Sequence, residues 1–144
     1  MKLTRNQREI IFMKFGGKCA YCGCDLPLRG WHVDHVDHVE PVYRKSVQDM
    51  AAAKKNIFKL KATGEVFNQE ADCLENLYPS CAPCNLFKSV YSLDMFRKQI
   101  ELQTERARKS SVNFRTAERF GLIELVNKPV VFWFEKYREL HDVS

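Results

Sequence analysis

Residues 76–88 read Asn-Leu-Tyr-Pro-Ser-Cys-Ala-Pro-Cys-Asn-Leu-Phe-Lys, and residues 35–41 read His-Val-Asp-His-Val-Glu-Pro. The first segment contains a Cys-x-x-Cys pair and a second pair lies upstream; their members are Cys19, Cys22, Cys81 and Cys84. Two such pairs supply the four thiolates of a tetrahedral zinc site, with metal–sulfur distances of about 2.3 Å. We expect zinc bound there to bring the two quoted segments together.

The zinc predicted from this spacing is structural, because four thiolates leave no coordination position for water. Such sites provide about 10–16 kcal/mol of apparent binding free energy in zinc-finger peptides, with a strong dependence on pH. The alternative interpretation is four ordinary buried cysteines. Cys24 and Cys73 remain outside the pattern, and Cys24 replaces Cys22 only if the knuckle spacing is abandoned.

Composition indicates one globular domain spanning residues 1–144, with no apolar run near the ~20 residues that cross a bilayer. The amino terminus lacks a signal-peptide core, so we expect a cytoplasmic protein, or one in the host-cell cytoplasm if the chain is phage-encoded. Reduced cytosolic thiols favour metal binding over disulfides. The formal charge of +5 becomes about +3 when four thiolates and one zinc ion are counted.

The amino-terminal half predicts a helix, a knuckle and a strand. A capping box at Thr4 begins a helix over residues 5–15, and Gly23 is expected to take a positive φ in the metal knuckle. Residues 31–39 favour a strand ending near Asp37. Residues 46–60 are loosely periodic and predict a helix, followed by a strand that begins at residues 66–67 and pairs back on the first.

The carboxy-terminal part, residues 92–144, is predicted to be a helical extension. Ser92 is positioned to cap one helix, and residues 116–123 predict another. The apolar run at residues 130–134 fits a buried strand or a buried helix equally well. Its aromatic residues, with Trp31 and Tyr43, are expected in the core and not against nucleic-acid bases.

A second constellation combines Asp37, His38 and Asn85, which zinc would bring into one neighbourhood. A neutral imidazole suits general-base work at cellular pH, so His38 is a candidate base. The carboxylate of Asp37 and the amide oxygen of Asn85 are hard ligands that suit Mg²⁺ or Mn²⁺. These are the requirements of phosphodiester hydrolysis, which needs an activated water and an electrophile for the phosphoryl oxygens. A lone strand histidine with a satisfied hydrogen bond is the alternative.

The order of these motifs over residues 19–88 resembles the HNH endonucleases, the ββα-metal or His-Me finger nucleases. The resemblance implies an α+β fold with a ββα-metal motif pinned by the four-cysteine zinc and flanked by amino- and carboxy-terminal helices. It implies His38 as the general base, Asp37 and Asn85 as ligands of a catalytic Mg²⁺ or Mn²⁺, and Asn76 as the residue that holds the catalytic loop. Lys88 matches a helix lysine that meets a phosphate. Cleavage would give 5′-phosphate and 3′-hydroxyl ends.

Two features depart from the family pattern. A second Asp-His pair, Asp34-His35, lies three residues upstream, although only Asp37-His38 is followed by Val-x-Pro. In the favoured register, His35 and His32 are strand or phosphate-contact residues. The stretch between Pro41 and Asn76 is interpreted as an insertion that contacts DNA or serves as scaffold.

A basic segment favours a nucleic-acid partner, with double-stranded DNA expected. Residues 97–115 carry six basic and two acidic side chains, and the predicted phosphate contacts are Lys88, Arg97, Lys98, Arg106, Arg108 and Lys109. A solvated helix face is the alternative for this segment. A zinc-stabilised DNA-binding module without catalysis and a nuclease that acts on RNA are the competing functions. One site cuts one strand, so double-strand cleavage requires a dimer or two nicks.

Overall fold

The structure is a computed structural model that describes residues 2–37, 41–45, 60–66 and 69–141, with side chains described except in residues 41–45, 60–66 and 71. Within these residues the fold combines helices with two small two-stranded sheets. The helices are α1 (Arg5–Phe12), α2 (Ala82–Lys88), α3 (Leu93–Glu101), α4 (Gln103–Ser110), α5 (Val112–Arg119) and α6 (Trp133–His141). The strands are β1 (His32–His35), β2 (Pro41–Lys45), β3 (Leu60–Val66) and β4 (Leu77–Ser80), and short 3₁₀ turns cover Gln69–Ala71 and Leu74–Asn76.

The sheet that positions the site pairs β1 with β4 in antiparallel register, with His35 opposite Leu77 and His32 opposite Ser80. The chain continues from β4 through Cys81 directly into α2. The second sheet pairs β2 with β3 antiparallel. The predicted strand at residues 66–67 is therefore wrong in position, because Val66 is the last residue of β3, and wrong in partner, because β1 pairs with β4.

Residues 19–23, called the knuckle below, lie between β4 and the carboxy-terminal aromatic run. The knuckle backbone is tied to β4 by a hydrogen bond from Ala20 N to Pro79 O of 2.9 Å. The carboxy-terminal aromatic run donates to the same segment, from Trp133 N to Tyr21 O at 3.0 Å and from Phe134 N to Ala20 O at 2.8 Å. The knuckle is thus held from both sides by distant parts of the chain.

Aromatic side chains fill the core around this knuckle. Edge-on ring contacts join Phe15 to Tyr78 at a centroid distance of 4.9 Å and Tyr78 to Phe134 at 5.0 Å. Phe96 and Phe132 are also buried and lie 5.2 Å apart. The expected core role is confirmed for Phe132 and Phe134. Trp31 is only half-buried, with Phe12 against its edge and the Arg8 guanidinium 4.6 Å from its ring centroid, and the Tyr43 side chain lies outside the described side chains.

The two helix starts that capping residues predict are confirmed, whereas other predicted helix boundaries are displaced by three or four residues. The Thr4 capping box and the Ser92 cap are both formed, and Gly23 has φ +79°. Helix α1 ends at Phe12, three residues before the predicted end, and α5 begins at Val112, four residues before the predicted start. In the 130–134 run only the last two residues are helical. The helix predicted at 46–60 lies outside the described residues except for Leu60, which begins β3.

None of the helices in the described ranges is both long enough and apolar enough to cross a membrane.

Candidate active site and metal centre

Four cysteine sulfurs lie together at the junction of the knuckle and the start of α2. The Sγ atoms of the four predicted ligands are all within 4.8 Å of one another; they belong to Cys19, Cys22, Cys81 and Cys84. A tetrahedron with metal–sulfur bonds of about 2.3 Å has sulfur–sulfur edges of about 3.8 Å. The separation of Cys22 Sγ and Cys81 Sγ is 3.8 Å. The cluster can therefore hold a metal ion such as zinc, and Cys24 is not part of it.

Backbone geometry explains how the first pair is presented. Gly23 N donates to Cys19 O at 3.0 Å and Cys19 N donates to Cys24 O at 2.8 Å, which closes a tight turn around the pair. Tyr21 N also points at Cys19 Sγ, at 3.4 Å. Cys81 occupies the N-cap of α2, so the second pair lies on the first turn of that helix.

Neighbouring thiols in the cluster shift the pKa values of one another. A hydrogen bond from the Cys84 thiol lowers the pKa of Cys19 to about 4, and the same bond raises the pKa of Cys84 because it holds the proton on that sulfur. Burial raises the pKa of Cys81. Sulfurs packed this closely favour a shared proton over adjacent negative charges, since adjacent thiolates repel one another.

A buried polar network joins the knuckle, β1 and α2. Lys88 Nζ lies 3.1 Å from Asp34 Oδ2 and donates to His35 O at 3.0 Å, and the Lys88 side chain has no exposed surface. The Tyr21 hydroxyl, from within the knuckle, donates to the same oxygen of Asp34. Buried charges persist in proteins when they are paired and hydrogen-bonded, and this pair meets both conditions.

This burial does not fit the phosphate contact that the resemblance implies for Lys88. A side chain with 0% exposure cannot reach a phosphate in solvent, and its ammonium already has two acceptors in the protein. The physical reason is the register of β1, which turns Asp34 inward opposite α2. Lys88 consequently compensates a buried carboxylate.

The end of β1 presents an alternating pattern of burial. Asp34 and Val36 are buried, His35 is half-exposed and Asp37 is exposed. His35 is the last residue of β1, and the chain bends at Val36 and Asp37. Of the two Asp-His registers considered from the sequence, the structure thus turns Asp34 into the core and leaves Asp37 open to a ligand.

Asn76 holds the backbone at Asp37. Its side-chain Oδ1 accepts from Asp37 N and its Nδ2 donates to Asp37 O, both at 2.8 Å. Val36 N also donates to Asn76 O at 2.9 Å, so the pairing of β1 continues past its last strand residue. An amide that satisfies both the donor and the acceptor of one residue fixes that residue's peptide planes and hence the direction of its side chain.

The segment that carries Asn76 also reaches His35. His35 Nε2 lies 3.1 Å from Asp72 Oδ1, and this hydrogen bond lowers the pKa of Asp72. Asp72 and Asn76 are four residues apart across the 3₁₀ turn that precedes β4. Residues 72–76 therefore contact both the His35 ring and the backbone of Asp37.

Asn85 lies on α2 one turn before Lys88 and is half-buried. Residues three apart share a helix face, so Asn85 is on the side of α2 from which Lys88 contacts Asp34 and His35 O. It also directly follows Cys84 of the thiol cluster. His38, the predicted general base, lies outside the described residues.

The basic segment predicted to meet phosphates is largely engaged within the chain. Arg97 donates to Val130 O at 2.6 Å and pairs with Glu135 at 2.8 Å. Arg108 forms a two-pronged pair with Glu118 at 3.0 and 2.9 Å, and Lys109 lies 3.3 Å from Glu105. Lys98 and Arg106 are exposed. Glu118 and Glu135 lie outside the counted segment, so a local count overstates the positive charge that this segment leaves unpaired.

Sequence reasoning missed Tyr21 and Asp72 as members of this site, and it considered Asp34 only as part of the alternative Asp-His register. The period-two pattern of β1 could have placed Asp34 beside Val36 on the inward face, where a carboxylate requires a partner. No sequence signal marks Asp72.

Comparison of the chain with protein-family models, curated proteins and solved structures found no match.

Proposed function

We propose that this protein is a metal-dependent endonuclease that hydrolyses phosphodiester bonds in DNA, with a structural zinc in the four-cysteine cluster. The observation that carries the proposal is the Asn76 clamp on Asp37, at the end of an antiparallel β1–β4 pair that leads into a helix tethered by Cys81 and Cys84. This arrangement supports a ββα-type site in which an exposed carboxylate is rigidly presented.

Asp37 and Asn85 are the residues that would hold a catalytic Mg²⁺ or Mn²⁺. The donor set fits a hard cation, because Asp37 offers an exposed carboxylate and Asn85, on α2 next to Cys84, offers an amide oxygen. A divalent ion there supplies electrostatic stabilisation of the charge that develops on the phosphoryl oxygens. His38, one residue after the clamped Asp37, would accept the proton of the attacking water.

Cleavage of supercoiled plasmid by zinc-loaded protein tests the proposal. We expect Mg²⁺ or Mn²⁺ to support conversion to nicked circles, EDTA to stop it, and Asp37→Ala to lower the rate by at least about 100-fold. Asp25→Ala is the matched control, because Asp25 is an exposed aspartate of the knuckle that is paired with Lys18. This control should retain the wild-type rate.

The same gel separates the competing functions. Plasmid that is bound and shifted yet stays supercoiled under every metal would contradict the nuclease and favour a zinc-stabilised binding module. Metal-dependent cleavage of RNA while DNA stays intact would support phosphodiester hydrolysis and indicate that the substrate is RNA.

A further inference from the structure

A cleft of about 720 Å³ lies between α1 and the chain that leads into β1. Leu28 and Trp31 line it from that chain. The α1 side consists of residues three or four positions apart, which share one helix face. They are Arg5, Arg8, Glu9 and Phe12, with Met13 directly after the helix. Pockets for organic ligands span about 300–1,000 Å³, so the cleft is large enough for one nucleotide.

The apolar part of this lining is open to solvent. Leu28 is 88% exposed and Met13 is 58% exposed, whereas Ile11, on another side of α1, is buried in the core. One face of α1 therefore packs on the core and a different face lines the cleft. Trp31 is half-buried, with the Phe12 ring against its edge at a centroid distance of 5.4 Å. The indole is thus held in place while part of it stays accessible.

The charge that the cleft leaves unpaired is positive. Glu9 is paired with Arg5 at 3.5 Å. The Arg8 guanidinium lies over the Trp31 ring, 4.6 Å from its centroid, and among the described residues it has no carboxylate partner. A guanidinium over an aromatic ring still offers its N–H groups to acceptors around its edge, and phosphate fits their geometry.

The cleft lies within reach of the candidate metal site along the chain. Trp31 directly precedes β1, and Asp37 follows it by six positions. Six residues span at most about 20–22 Å. Nucleotides of one DNA strand rise about 3.4 Å each, so a strand held at Asp37 reaches the cleft within roughly six nucleotides.

We propose that this cleft binds an unpaired segment of the DNA substrate, with Arg8 donating to a phosphate and a base resting on Leu28 and Trp31. A nucleotide brings an anion and a flat apolar ring together, which matches both parts of the lining. Bases of a duplex are stacked on their neighbours, so only an unpaired base can enter. Sites for single strands combine cationic and aromatic groups in this way. The inference rests on the proposed function for the identity of the substrate.

Fluorescence anisotropy of a labelled oligothymidylate of about 12 nucleotides, titrated with zinc-loaded protein without Mg²⁺, tests the cleft. Leu28→Glu places a negative charge beside the proposed phosphate and should weaken binding by at least about 5-fold. The high exposure of Leu28 makes loss of folding an implausible cause. Leu122→Glu is the matched control, because Leu122 is 78% exposed and the change in net charge is the same. It should bind within about twofold of the wild type at about 0.15 M salt.

Arg8→Gln tests the phosphate contact. It should reduce the slope of log K against log salt concentration by about 0.7, the contribution of one phosphate of a single strand. Arg119→Gln, at an exposed arginine of α5, should leave the slope unchanged.

The two indole N–H signals in nitrogen-15 spectra give a direct readout, since the chain contains two tryptophans. Oligothymidylate should shift the signal of Trp31. The signal of Trp133, whose indole N–H donates to Phe15 O at 3.0 Å, should stay in place.

The outcomes are distinct. A wild type that cleaves DNA, beside a Leu28→Glu variant that binds oligothymidylate as tightly as Leu122→Glu, overturns this inference alone. A duplex of equal length that binds as tightly and is equally sensitive to Leu28→Glu overturns the preference for unpaired bases. Displacement of the oligonucleotide by polyglutamate, with the same shift at Trp31, assigns the cleft to an acidic peptide instead. Binding that Leu28→Glu weakens, in a protein that cleaves nothing, overturns the proposed function and supports the cleft.

Discussion

Lys88 and Asp34 show how a single charged pair sets the local geometry of the candidate site. The ammonium binds the carboxylate of β1 and the carbonyl of His35, so α2 is fixed against the strand end that presents Asp37. The Tyr21 hydroxyl, which belongs to the knuckle, donates a hydrogen bond to the same carboxylate. Buried pairs of this kind are weak sources of net stability, but removal of one partner leaves an uncompensated buried charge.

We therefore expect Lys88→Met to destabilise the zinc-loaded protein by about 3–5 kcal/mol in urea unfolding. Lys98→Met, at an exposed lysine of α3, should change stability by no more than about 0.5 kcal/mol. The double variant Lys88→Met/Asp34→Asn should recover part of the loss, because the buried carboxylate is then neutral. A loss below 1 kcal/mol for Lys88→Met would contradict the buried pair.

Ser89, directly after Lys88, has φ +49° and ψ −121°, and it is a non-glycine residue with positive φ. Backbone in this region costs an ordinary residue roughly 1–3 kcal/mol and costs glycine little. We expect Ser89→Gly to raise the free energy of unfolding by about 0.5–1 kcal/mol after the entropy of a more flexible unfolded chain is subtracted.

Ser110→Gly is the comparison variant, for which we expect the free energy of unfolding to fall. Ser110 is the last residue of α4, where glycine is a poorer helix former than serine, so this variant should lose about 0.5 kcal/mol. Denaturant midpoints of the two variants measure the difference. If Ser89→Gly is destabilised like Ser110→Gly, the positive φ at Ser89 is not present in solution.

Among the elements, the knuckle depends on a turn that fits under the carboxy-terminal helix. Gly23 has φ +79°, and a Cβ there would lie 3.3 Å from the Cβ of Trp133 at the start of α6. Gly30 has a similar φ of +89° but open space around it. Alanine variants at the two positions therefore distinguish the cost of backbone strain, which both share, from the cost of contact with α6, which only Gly23 has.

Gly30→Ala should cost about 1–2 kcal/mol from its left-handed conformation alone. Gly23→Ala should cost more, because Trp133 must also shift, and it should weaken zinc binding since the turn presents Cys22. Urea unfolding and competition with a zinc chelator measure the two effects. Equal losses of stability with unchanged zinc affinity would contradict the packing of α6 against the knuckle.

Elements whose signals are local were predictable from the sequence, and elements defined by pairing were not. Cys-x-x-Cys spacing, the Thr4 box and Gly23 each depend on a few neighbouring residues. The partner of β1 is β4, whose residues Leu77–Ser80 contain Pro79 and carry no alternation because all four are buried. The ion pair of Arg108 with Glu118 likewise joins two helices, so a count of charge along the segment could not reveal it.

At the scale of the whole molecule, the four clustered sulfurs bring the knuckle and α2 together, so we expect folding to depend on the metal that they could hold. Zinc and protons compete for the same sulfurs. Cys81 and Cys84 have raised pKa values and are protonated at pH 7, whereas Cys19, with a pKa of about 4, is already ionised. At least two protons must leave when zinc binds.

Apparent zinc affinity should therefore fall as pH falls, by roughly 100-fold between pH 8 and pH 7 if two thiols release protons. Chelator competition at the two pH values measures the affinity, and calorimetry in buffers of different ionisation enthalpy counts the protons. Affinity independent of pH in this window, or no proton release, would contradict binding by the four thiols.

The most direct test of the central claim is the rate at which zinc-loaded protein nicks supercoiled plasmid in Mg²⁺, for wild type beside His38→Ala. We predict EDTA-sensitive nicking by the wild type and a loss of at least about 100-fold in His38→Ala, the lower range for removal of a general base. Equal nicking by both proteins would contradict His38 as the base. A wild type that leaves the plasmid supercoiled in every metal would contradict the nuclease itself.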